Sequence, residues 1–284
     1  MSDRDPLPTC VDGLDELPAG FWEELDAGLA AIPGFTLDGA ARAAIDAHVR
    51  LLLAWNAAIN LTAIHDPLAI AREHLVDSLA AMPLLRRAGV EEFMDIGSGA
   101  GFPGLPLAMA LPARRALLVE SIGKKARFLE VAAAATDAAD RVGVAATRAE
   151  TLAADPRHRG RWPVVVARAV TDGAELVELA LPLLRPGGWL VAWKRQPIDE
   201  ELARTDQAAR QIGGRVAHVE PVPIPGLEDH VLAVVEKTGE TPRAFPRDPA
   251  ARKRRPLGGA AERVGLRGDA NVGADAAPPG GGER

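Results

Sequence analysis

The residues best suited to chemistry form a glycine-rich turn, with the sequence Asp95-Ile96-Gly97-Ser98-Gly99-Ala100-Gly101. The turn follows a short apolar run and precedes a stretch with helical periodicity. Glycine has no Cβ atom, so a turn built from it can bend sharply and bring its backbone close to a ligand. The pattern therefore indicates a ligand site at the end of a strand.

The spacing of the glycines indicates which kind of ligand is expected. Dinucleotide-binding folds use G-x-G-x-x-G, which places a pyrophosphate at the N-terminus of the following helix. Here the spacing is G-x-G-x-G, Phe102 occupies the position of the third glycine, and Asp95 stands two residues before the first. The turn therefore favours S-adenosylmethionine, which carries an ammonium group and no phosphate, although purely structural turns between a strand and a helix also use glycines.

A second acidic residue supports a nucleoside ligand. Glu120 ends the next predicted strand, about 20 residues beyond the turn, where an acid of nucleotide-binding folds accepts hydrogen bonds from ribose hydroxyls. The alternative is that Glu120 only caps the helix that follows it. The order of strand, glycine turn, helix, strand and acid favours the nucleoside.

Composition excludes several other classes of protein. The 284 residues are 48% hydrophobic and 25% charged, which is typical of a folded protein with a hydrophobic core. Cys10 is the only cysteine and the six histidines show no paired ligand spacing, so neither a disulfide nor a metal site is expected. No apolar stretch reaches the ~18 residues of a membrane span, and the acidic N-terminus does not resemble a signal peptide, so we expect a cytoplasmic protein.

Four zones follow one another along the chain. Residues 1–20 are acidic and rich in Pro and Gly, which predicts a flexible leader. Residues 21–90 carry apolar residues at three- and four-residue steps, which predicts a helical cap, and Asp66-Pro67 is typical of a helix N-terminus in a segment that runs towards Gly89. Residues 91–239 alternate between strands and helices, and residues 240–284 form a basic, then Gly/Ala-rich tail without expected packed structure.

The alternating zone predicts a mostly parallel sheet covered by helices on both faces. The predicted strands are Phe93–Ile96, Ala116–Glu120, Val142–Ala146, Val164–Ala167 and Trp189–Trp193, with Val216–Val219 and Val231–Val235 as an antiparallel edge pair. The predicted helices lie at about 104–111, 123–137, 172–184 and 198–212.

Charge is distributed unevenly along the chain. The formal net charge is −6, but residues 1–30 hold eight acidic residues against one basic residue, whereas residues 243–255 hold six basic residues against one acidic residue. A local basic cluster can contact phosphates. An RNA partner is therefore compatible with the negative total, although basic tails are as often merely solvated.

A set of motifs resembles the bacterial 16S ribosomal RNA guanine-N7 methyltransferases, a family also called glucose-inhibited division protein B. The motifs are Trp55-Asn56…Asn60-Leu61-Thr62, Glu73-His74…Asp77-Ser78-Leu79, the turn from Asp95 through Phe102-Pro103-Gly104, Lys124-Lys125…Phe128-Leu129, Arg148-Ala149-Glu150, Ala167-Arg168-Ala169 and Leu181-Pro182-Leu183-Leu184…Gly187-Gly188. They cover roughly residues 50–195, and the segment Phe245-Pro246-Arg247…Arg255-Pro256-Leu257 is similar to the basic C-terminus of the family.

This resemblance implies a fold, an activity and a set of cofactor positions. The fold is α/β, a class I S-adenosylmethionine-dependent methyltransferase with a Rossmann-like seven-stranded sheet and an N-terminal helical cap. The activity is methyl transfer from S-adenosylmethionine to N7 of one guanosine, with 16S ribosomal RNA or the small ribosomal subunit as partner. The cofactor-binding positions carried over or indicated by the turn are Gly97, Gly99, Gly101, Phe102, Glu120, Ser121, Ala149, Glu150 and Arg168. Glu120 stands where the family usually has Asp, and Arg195 stands where it tends to carry Gly.

The substrate candidates are Asn60, His74, Lys124, Lys125, Arg127 and Lys194. Asn60 and His74, together with Asp77, either orient the substrate base or tie the cap to the sheet. The basic residues near position 125 either contact RNA phosphates or form an ordinary exposed helix start. No catalytic base is expected, because N7 of guanine has a free lone pair. Two other functions stay open, a small-molecule methyltransferase on the same fold and a non-catalytic ribosome-assembly factor.

Overall fold

The N-terminal part of the protein is helical. The computed structural model describes residues 6–111, 114–136, 138–222 and 224–259, and it begins with α1 (Ala19–Leu29) and α2 (Gly39–Ile59). The carboxylate of Asp38 accepts a hydrogen bond from the Ala41 N–H at 2.8 Å and caps the start of α2. Asn60 ends α2 with a φ of 47°, in the left-handed region. The helical periodicity predicted for this zone is confirmed.

The second half of the cap is a divided helix. Its segments are α3 (Pro67–Ala69), a π-helix (Ile70–Val76), α4 (Asp77–Leu79) and α5 (Met82–Arg87). The predicted start is confirmed, since the Asp66 carboxylate accepts a hydrogen bond from the Ala69 N–H at 2.8 Å. The sequence predicts one helix running towards Gly89, but the π-helix and a break at residues 80–81 divide it. A π-helical turn holds an extra residue, which re-aims the side chains on it, and such turns are frequent at functional sites.

Seven strands form one mixed sheet. They are β1 (Glu92–Ile96), β2 (Arg115–Val119), β3 (Val142–Ala145), β4 (Trp162–Arg168), β5 (Leu184–Arg195), β6 (Gly214–Pro221) and β7 (His230–Lys237). Their order is β3-β2-β1-β4-β5-β7-β6. The first five strands are parallel, whereas β7 is antiparallel to both of its neighbours. This confirms the predicted parallel sheet with an antiparallel edge.

Helices and the cap cover both faces of the sheet. The remaining helices are α6 (Gly104–Ala110), α7 (Gly123–Ala135), α8 (Ala149–Ala154), α9 (Gly173–Ala180), α10 (Asp199–Gln211) and α11 (Pro249–Arg254). Successive strand residues alternate between two hydrophobic clusters, so Phe93 belongs to one and Met94 to the other. The first cluster also contains Ile45 and Leu52 of α2, so the cap and one face of the sheet share a continuous core. Within the described ranges, no helix has the length and apolar character needed to cross a bilayer.

The N-terminal acidic segment lies against α2 in its described part. The Arg50 guanidinium donates to the carbonyls of Val11, at 3.2 Å, and Leu14, at 2.6 Å, while the Trp55 indole donates to the carbonyl of Pro8 at 2.7 Å. Composition predicts a flexible leader because it does not reveal such partners, which are 36 to 47 residues away in the chain. Residues 1–5 lie outside the described residues.

The C-terminal segment up to residue 259 also packs against the rest of the protein and contains α11. Arg247 forms an ion pair at 2.6 Å with Glu178, whose side chain is 1% exposed. The sequence predicts no packed structure from residue 240 onwards, because its basic and Gly-rich composition conceals these buried partners. The tail from residue 260 to 284 lies outside the described residues.

Candidate active site

Two clefts open at the carboxyl ends of the strands, close to the boundary between β1 and β4. The strand order reverses at this boundary, and open α/β sheets bind ligands at such a point. The first cleft, of about 240 Å³, lies at the ends of β1 to β4, and four of the predicted cofactor positions line it, namely Gly97, Ser121, Ala149 and Glu150. The second cleft, of about 350 Å³, lies at the ends of β4 and β5, and its wall includes Glu73, His74, Asp77, Arg168, Trp193, Lys194 and His230.

The glycine turn, whose Gly97 lines the first cleft, requires glycine at two of its positions. Gly97 has a φ of 72°, and a Cβ atom there would lie 2.8 Å from Cγ2 of Val170. Gly101 has a φ of 93°, and its Cβ would lie 2.6 Å from Cδ1 of Leu105. At Gly99, with a φ of 54°, a Cβ would meet no atom nearer than 3.8 Å. The turn therefore combines left-handed backbone with close packing, as the spacing of the glycines suggests.

Glu120 joins the end of β2 to this turn. Its carboxylate accepts hydrogen bonds from the Gly99 N–H at 3.0 Å and from the Ile122 N–H at 2.7 Å. The residue is 6% exposed. Each carboxylate oxygen has a second lone pair, so Glu120 can accept further hydrogen bonds from a ligand.

Asp95 lies buried beneath the turn. One carboxylate oxygen accepts a hydrogen bond from the Gly104 N–H at 3.0 Å, and the other, Oδ1, has no hydrogen-bond partner among the described residues. Burial raises the pKa of Asp95 to about 7, and the hydrogen bond from the Gly104 N–H opposes the effect. A cation close to the turn would stabilise the ionised carboxylate.

His48 of α2 supports the turn from the cap side. Its Nε2–H donates to the carbonyl of Ala100 at 2.8 Å, which leaves Nδ1 as the unprotonated ring nitrogen, without a partner among the described residues. Burial lowers the pKa of His48 to about 4. Phe102 lies between the rings of His48, at 4.9 Å, and His74, at 4.6 Å, so it supports the turn from beneath and lines neither cleft.

Arg168, at the end of β4, connects the sheet to the cap. Its guanidinium donates to Asp77 Oδ2 at 2.7 Å, to Nδ1 of His74 at 3.1 Å and to the carbonyl of Glu73 at 3.3 Å. The other oxygen of Asp77 accepts a hydrogen bond from His230 at 2.7 Å. Burial alone would raise the pKa of Asp77, but the hydrogen bond from His230 and the charge of Arg168 hold it below its ordinary value. Arg168 therefore lines the second cleft, whereas the sequence predicts a position at the cofactor.

His74 is neutral and fully engaged. Arginine can only donate, so Nδ1 of His74 accepts from Arg168, and its Nε2–H donates to the Thr62 hydroxyl at 2.7 Å. Burial, followed by the charge of Arg168, lowers the pKa of His74 to about 3. The π-helix aims this ring both at the sheet and at the loop after α2.

The other substrate candidates lie apart from one another. Asn60 is exposed and ends α2. Lys194 lines the second cleft, but its ammonium group donates to Glu201 at 2.6 Å and to the carbonyl of Thr171 at 3.0 Å. The three basic residues predicted to meet phosphates lie in the first turns of α7, where two are exposed and one is half-buried, namely Lys124, Arg127 and Lys125.

Sequence reasoning did not place two further residues at the site, Asn56 and Arg252, although both shape the clefts. Asn56 is 3% exposed, and its side-chain oxygen accepts hydrogen bonds from the N–H groups of Leu61, at 2.6 Å, and Thr62, at 2.9 Å, which fixes the loop that holds Thr62 against His74. Its place in a motif of the family was the available signal. Arg252 of α11 lines the first cleft, and its place in the basic C-terminal motif was the only sequence signal for it.

These features define a class. A seven-stranded sheet with β7 inserted antiparallel, a glycine turn after β1, an acid at the end of β2 and two clefts at the β1/β4 boundary make this a class I S-adenosylmethionine-dependent methyltransferase. Comparison with known proteins specifies it further. The family model described as rRNA small subunit methyltransferase G matches residues 41–225, and the chain belongs to this family.

Individual relatives match over most of their length. The ribosomal RNA small subunit methyltransferase G of Roseiflexus sp. (strain RS-1) is 47% identical over 206 residues, which cover 72% of this chain and 87% of that protein. The protein of the same name from Dehalococcoides mccartyi (strain CBDB1) is 38% identical over 235 residues, which cover 82% of this chain and 99% of that protein.

The residues around the first cleft fit S-adenosylmethionine. The unpartnered oxygen of Asp95 suits the neighbourhood of a cationic ligand, and Glu120 has lone pairs left for the hydroxyls of a ribose. The turn lacks the third glycine that a pyrophosphate site uses, and this ligand has no phosphate to place there. The cofactor expected from the spacing of the glycines is therefore the one that the class requires.

Proposed function

We propose that this protein transfers the methyl group of S-adenosylmethionine to N7 of a specific guanosine in 16S ribosomal RNA, free or within the small ribosomal subunit, in the cytoplasm. The observation that supports this most strongly is the pair of neighbouring clefts at the β1/β4 boundary. A methyl donor in the first cleft and a base in the second would meet near Ala169 and Val170, consecutive residues that line the second and the first cleft respectively. The substrate class follows from the family.

In this proposal the first cleft holds the cofactor. S-adenosylmethionine supplies a methyl group that is activated by a sulfonium. Glu120 accepts hydrogen bonds from the ribose hydroxyls beside Ser121, and Ala149 and Glu150 border the adenine. Gly97 and Gly99 let the backbone approach the ligand, while the remaining predicted positions support the turn and the cap from behind, namely Gly101, Phe102 and Arg168.

The second cleft accommodates an acceptor that needs no general base. The nitrogens of His74 and the oxygens of Asp77 are all engaged in hydrogen bonds, so neither group is available to remove a proton. N7 of guanine requires none, because its lone pair is free at neutral pH. Catalysis then depends on alignment of the lone pair, the methyl group and the sulfur, and positioning of this kind contributes about 7–11 kcal/mol at best.

Glu73 is suited to select guanine in the second cleft. The N1–H and the N2 amino group of guanine are adjacent donors, and a carboxylate can accept two parallel hydrogen bonds. Both oxygens of Asp77 are occupied, whereas the carboxylate of Glu73 makes a single 3.4 Å contact, with Arg72, among the described residues. We therefore assign recognition of the guanine edge to Glu73.

Methyl transfer to ribosomal RNA tests the proposal directly. Small ribosomal subunits that lack the modification are incubated with the protein and labelled S-adenosylmethionine, and N7-methylguanosine is mapped by chemical cleavage. A single labelled guanosine is the expected result. Binding of the cofactor without label in RNA would favour a small-molecule acceptor, and absence of cofactor binding would favour a non-catalytic assembly factor.

A pair of glycine variants separates the site from the fold. In Gly97→Ala the new methyl group displaces Val170, which lines the first cleft, so we expect S-adenosylmethionine to bind at least 10-fold more weakly. Gly160→Ala is the matched control, because Gly160 also has a positive φ, of 65°, but a Cβ there meets nothing within 4 Å. Both variants carry the same left-handed strain of roughly 1–2 kcal/mol, so equal loss of binding in both would contradict the assignment.

A further inference from the structure

The C-terminal segment returns to the first cleft and is held there by buried ion pairs. The guanidinium of Arg159 donates to the carbonyls of Pro242, at 3.1 Å, and Phe245, at 2.9 Å. Arg247 then pairs with Glu178 of α9 through its backbone N–H and its guanidinium, at 2.6 to 2.8 Å. These contacts place α11 beside the first cleft.

Arg252 of α11 enters the wall of this cleft. The residue is 6% exposed, and its guanidinium bridges two glutamates that also line the cleft, donating to Glu150 at 2.5 Å and to Glu175 at 2.9 Å. A third donor of the same group reaches the carbonyl of Arg247 at 2.7 Å. A buried arginine with this many charge-assisted partners has a defined position and constrains both carboxylates.

The Arg252 bridge fixes the position of Glu150, which the proposed function places at the adenine. Glu150 and Glu175 are like charges on one cleft, and Glu175 is also held by the Thr171 hydroxyl, which donates to it at 2.6 Å. Without the guanidinium between them, Glu150 would be repelled and would turn towards solvent. Only Oε1 of Glu150 is used by Arg252, which leaves Oε2 to accept from a ligand. The exocyclic amino group of adenine is a donor of the matching kind.

We propose that Arg252 is a positioning residue of the cofactor site, which holds Glu150 so that its free oxygen accepts a hydrogen bond from the exocyclic amino group of adenine. The inference rests on the proposed function, because it presumes that the first cleft binds the adenosyl group. It gives the C-terminal segment a role in cofactor selection in addition to any contact with RNA.

The cofactor product and an analogue of it test this role. S-adenosylhomocysteine carries the amino group, whereas S-inosylhomocysteine carries a carbonyl oxygen in its place, an acceptor that would face the acceptor oxygen of Glu150. We expect the wild-type protein to prefer the adenosyl compound by on the order of 10-fold or more in calorimetric titrations, as is typical for a hydrogen bond to a charged group. In Arg252→Met, which keeps the aliphatic stem, we expect affinity for the adenosyl compound to fall by about the same factor and the preference to approach unity.

Companion variants distinguish positioning from simple attachment of the tail. Glu150→Gln should reduce the preference by itself, and adding Arg252→Met to it should reduce it little further, while Arg252→Lys should restore part of it. Arg254→Met is the matched control, since Arg254 is exposed on the same helix and lines neither cleft, and it should bind both homocysteine compounds as the wild type does.

Several outcomes would overturn the inference. It fails if Arg252→Met weakens both compounds by the same factor, or if it leaves the preference intact. If Arg252→Met does not fold, judged by its circular dichroism, the preference of Glu150→Gln and of Arg252→Lys decides in its place. A wild-type protein that binds neither compound would instead refute the proposed function itself.

Discussion

Replacing His48 with Gln should make the protein less sensitive to acid. In the native state His48 is buried and neutral, and its Nε2–H holds the carbonyl of Ala100 in the glycine turn. A proton added at Nδ1 would be a buried charge without a partner among the described residues, which is why burial lowers the pKa to about 4. Glutamine can still donate to Ala100 but does not titrate, so His48→Gln removes the acid-sensitive contribution and keeps the hydrogen bond.

The size of the effect follows from proton linkage. The ordinary pKa of histidine is 6.5, so an unfolded His48 is mostly protonated at pH 5, whereas the native one, with a pKa of about 4, is mostly neutral. The contribution to stability is complete above the unfolded value and is lost as the pH falls towards the folded value. Between pH 7 and pH 5 this side chain should lower the free energy of unfolding by about 2 kcal/mol.

Comparison of His48→Gln with the wild type isolates the contribution of His48 to the pH dependence of stability. Asp95, with a pKa raised to about 7, has the opposite sign, because its protonated native form gains stability relative to the unfolded chain as the pH falls. The pH profile of the wild type alone is therefore a sum. We expect the stability deficit of His48→Gln relative to wild type, from urea unfolding followed by tryptophan fluorescence, to be about 2 kcal/mol smaller at pH 5 than at pH 7.

The control for this measurement is His218→Gln, which replaces an exposed histidine on the edge strand β6. A deficit of His48→Gln that is equal at both pH values, with equal denaturant slopes, would refute the reasoning. It would mean that the native ring accepts a proton at Nδ1 as readily as the unfolded one.

The remaining predictions concern the RNA substrate. Glu73→Gln should lower kcat/KM for ribosomal RNA by on the order of 10-fold while leaving the Kd of S-adenosylmethionine unchanged, and an equal loss in both would show that Glu73 acts on the cofactor site instead. Three exposed basic residues follow Arg252, namely Lys253, Arg254 and Arg255. Replacing all three with alanine should weaken RNA binding. It should also reduce the slope of log affinity against log salt by about 2 to 3, because each phosphate contact contributes roughly 0.7–0.9 to that slope. Unchanged slopes over several salt concentrations would place the RNA on another surface. Removal of the whole segment from residue 243 should also weaken RNA binding, but it removes Arg252 as well, so the triple substitution is the cleaner test.

Most of the elements could be predicted because their signals are local. The strands after residue 91 are apolar runs of five or so residues separated by helical periodicity, and all seven are in the structure within a few residues of their predicted ends, β5 apart, which begins at Leu184. The Asp66-Pro67 helix start depends on residues three apart, and it is confirmed. The π-helix that follows has no such local signal, and its His74 accepts a hydrogen bond from Arg168, 94 residues further along the chain.

The candidate site also has parts that the sequence predicts and parts that it does not. The glycine turn and Glu120 could be predicted from their spacing along one stretch of chain, and a hydrogen bond joins them in the structure. Arg168 was expected at the cofactor, yet its guanidinium lies in the second cleft, bonded to residues 91 to 95 positions earlier. A strand-ending arginine can point to either side of the sheet edge, and only the packed cap decides which.

The sequence by itself thus determined the class of fold, the glycine turn and the family, since hydrophobic periodicity, glycine spacing and motif order are all properties of neighbouring residues. The tertiary structure alone decided which distant side chains share a site. His48 reaches the turn from 52 residues away, and Arg252 reaches Glu150 across 102 residues. Such pairs form only when the cap and the C-terminal segment have packed on the sheet. Packing buries these polar and charged groups, and a buried group needs a hydrogen-bond partner, which here is distant in the sequence.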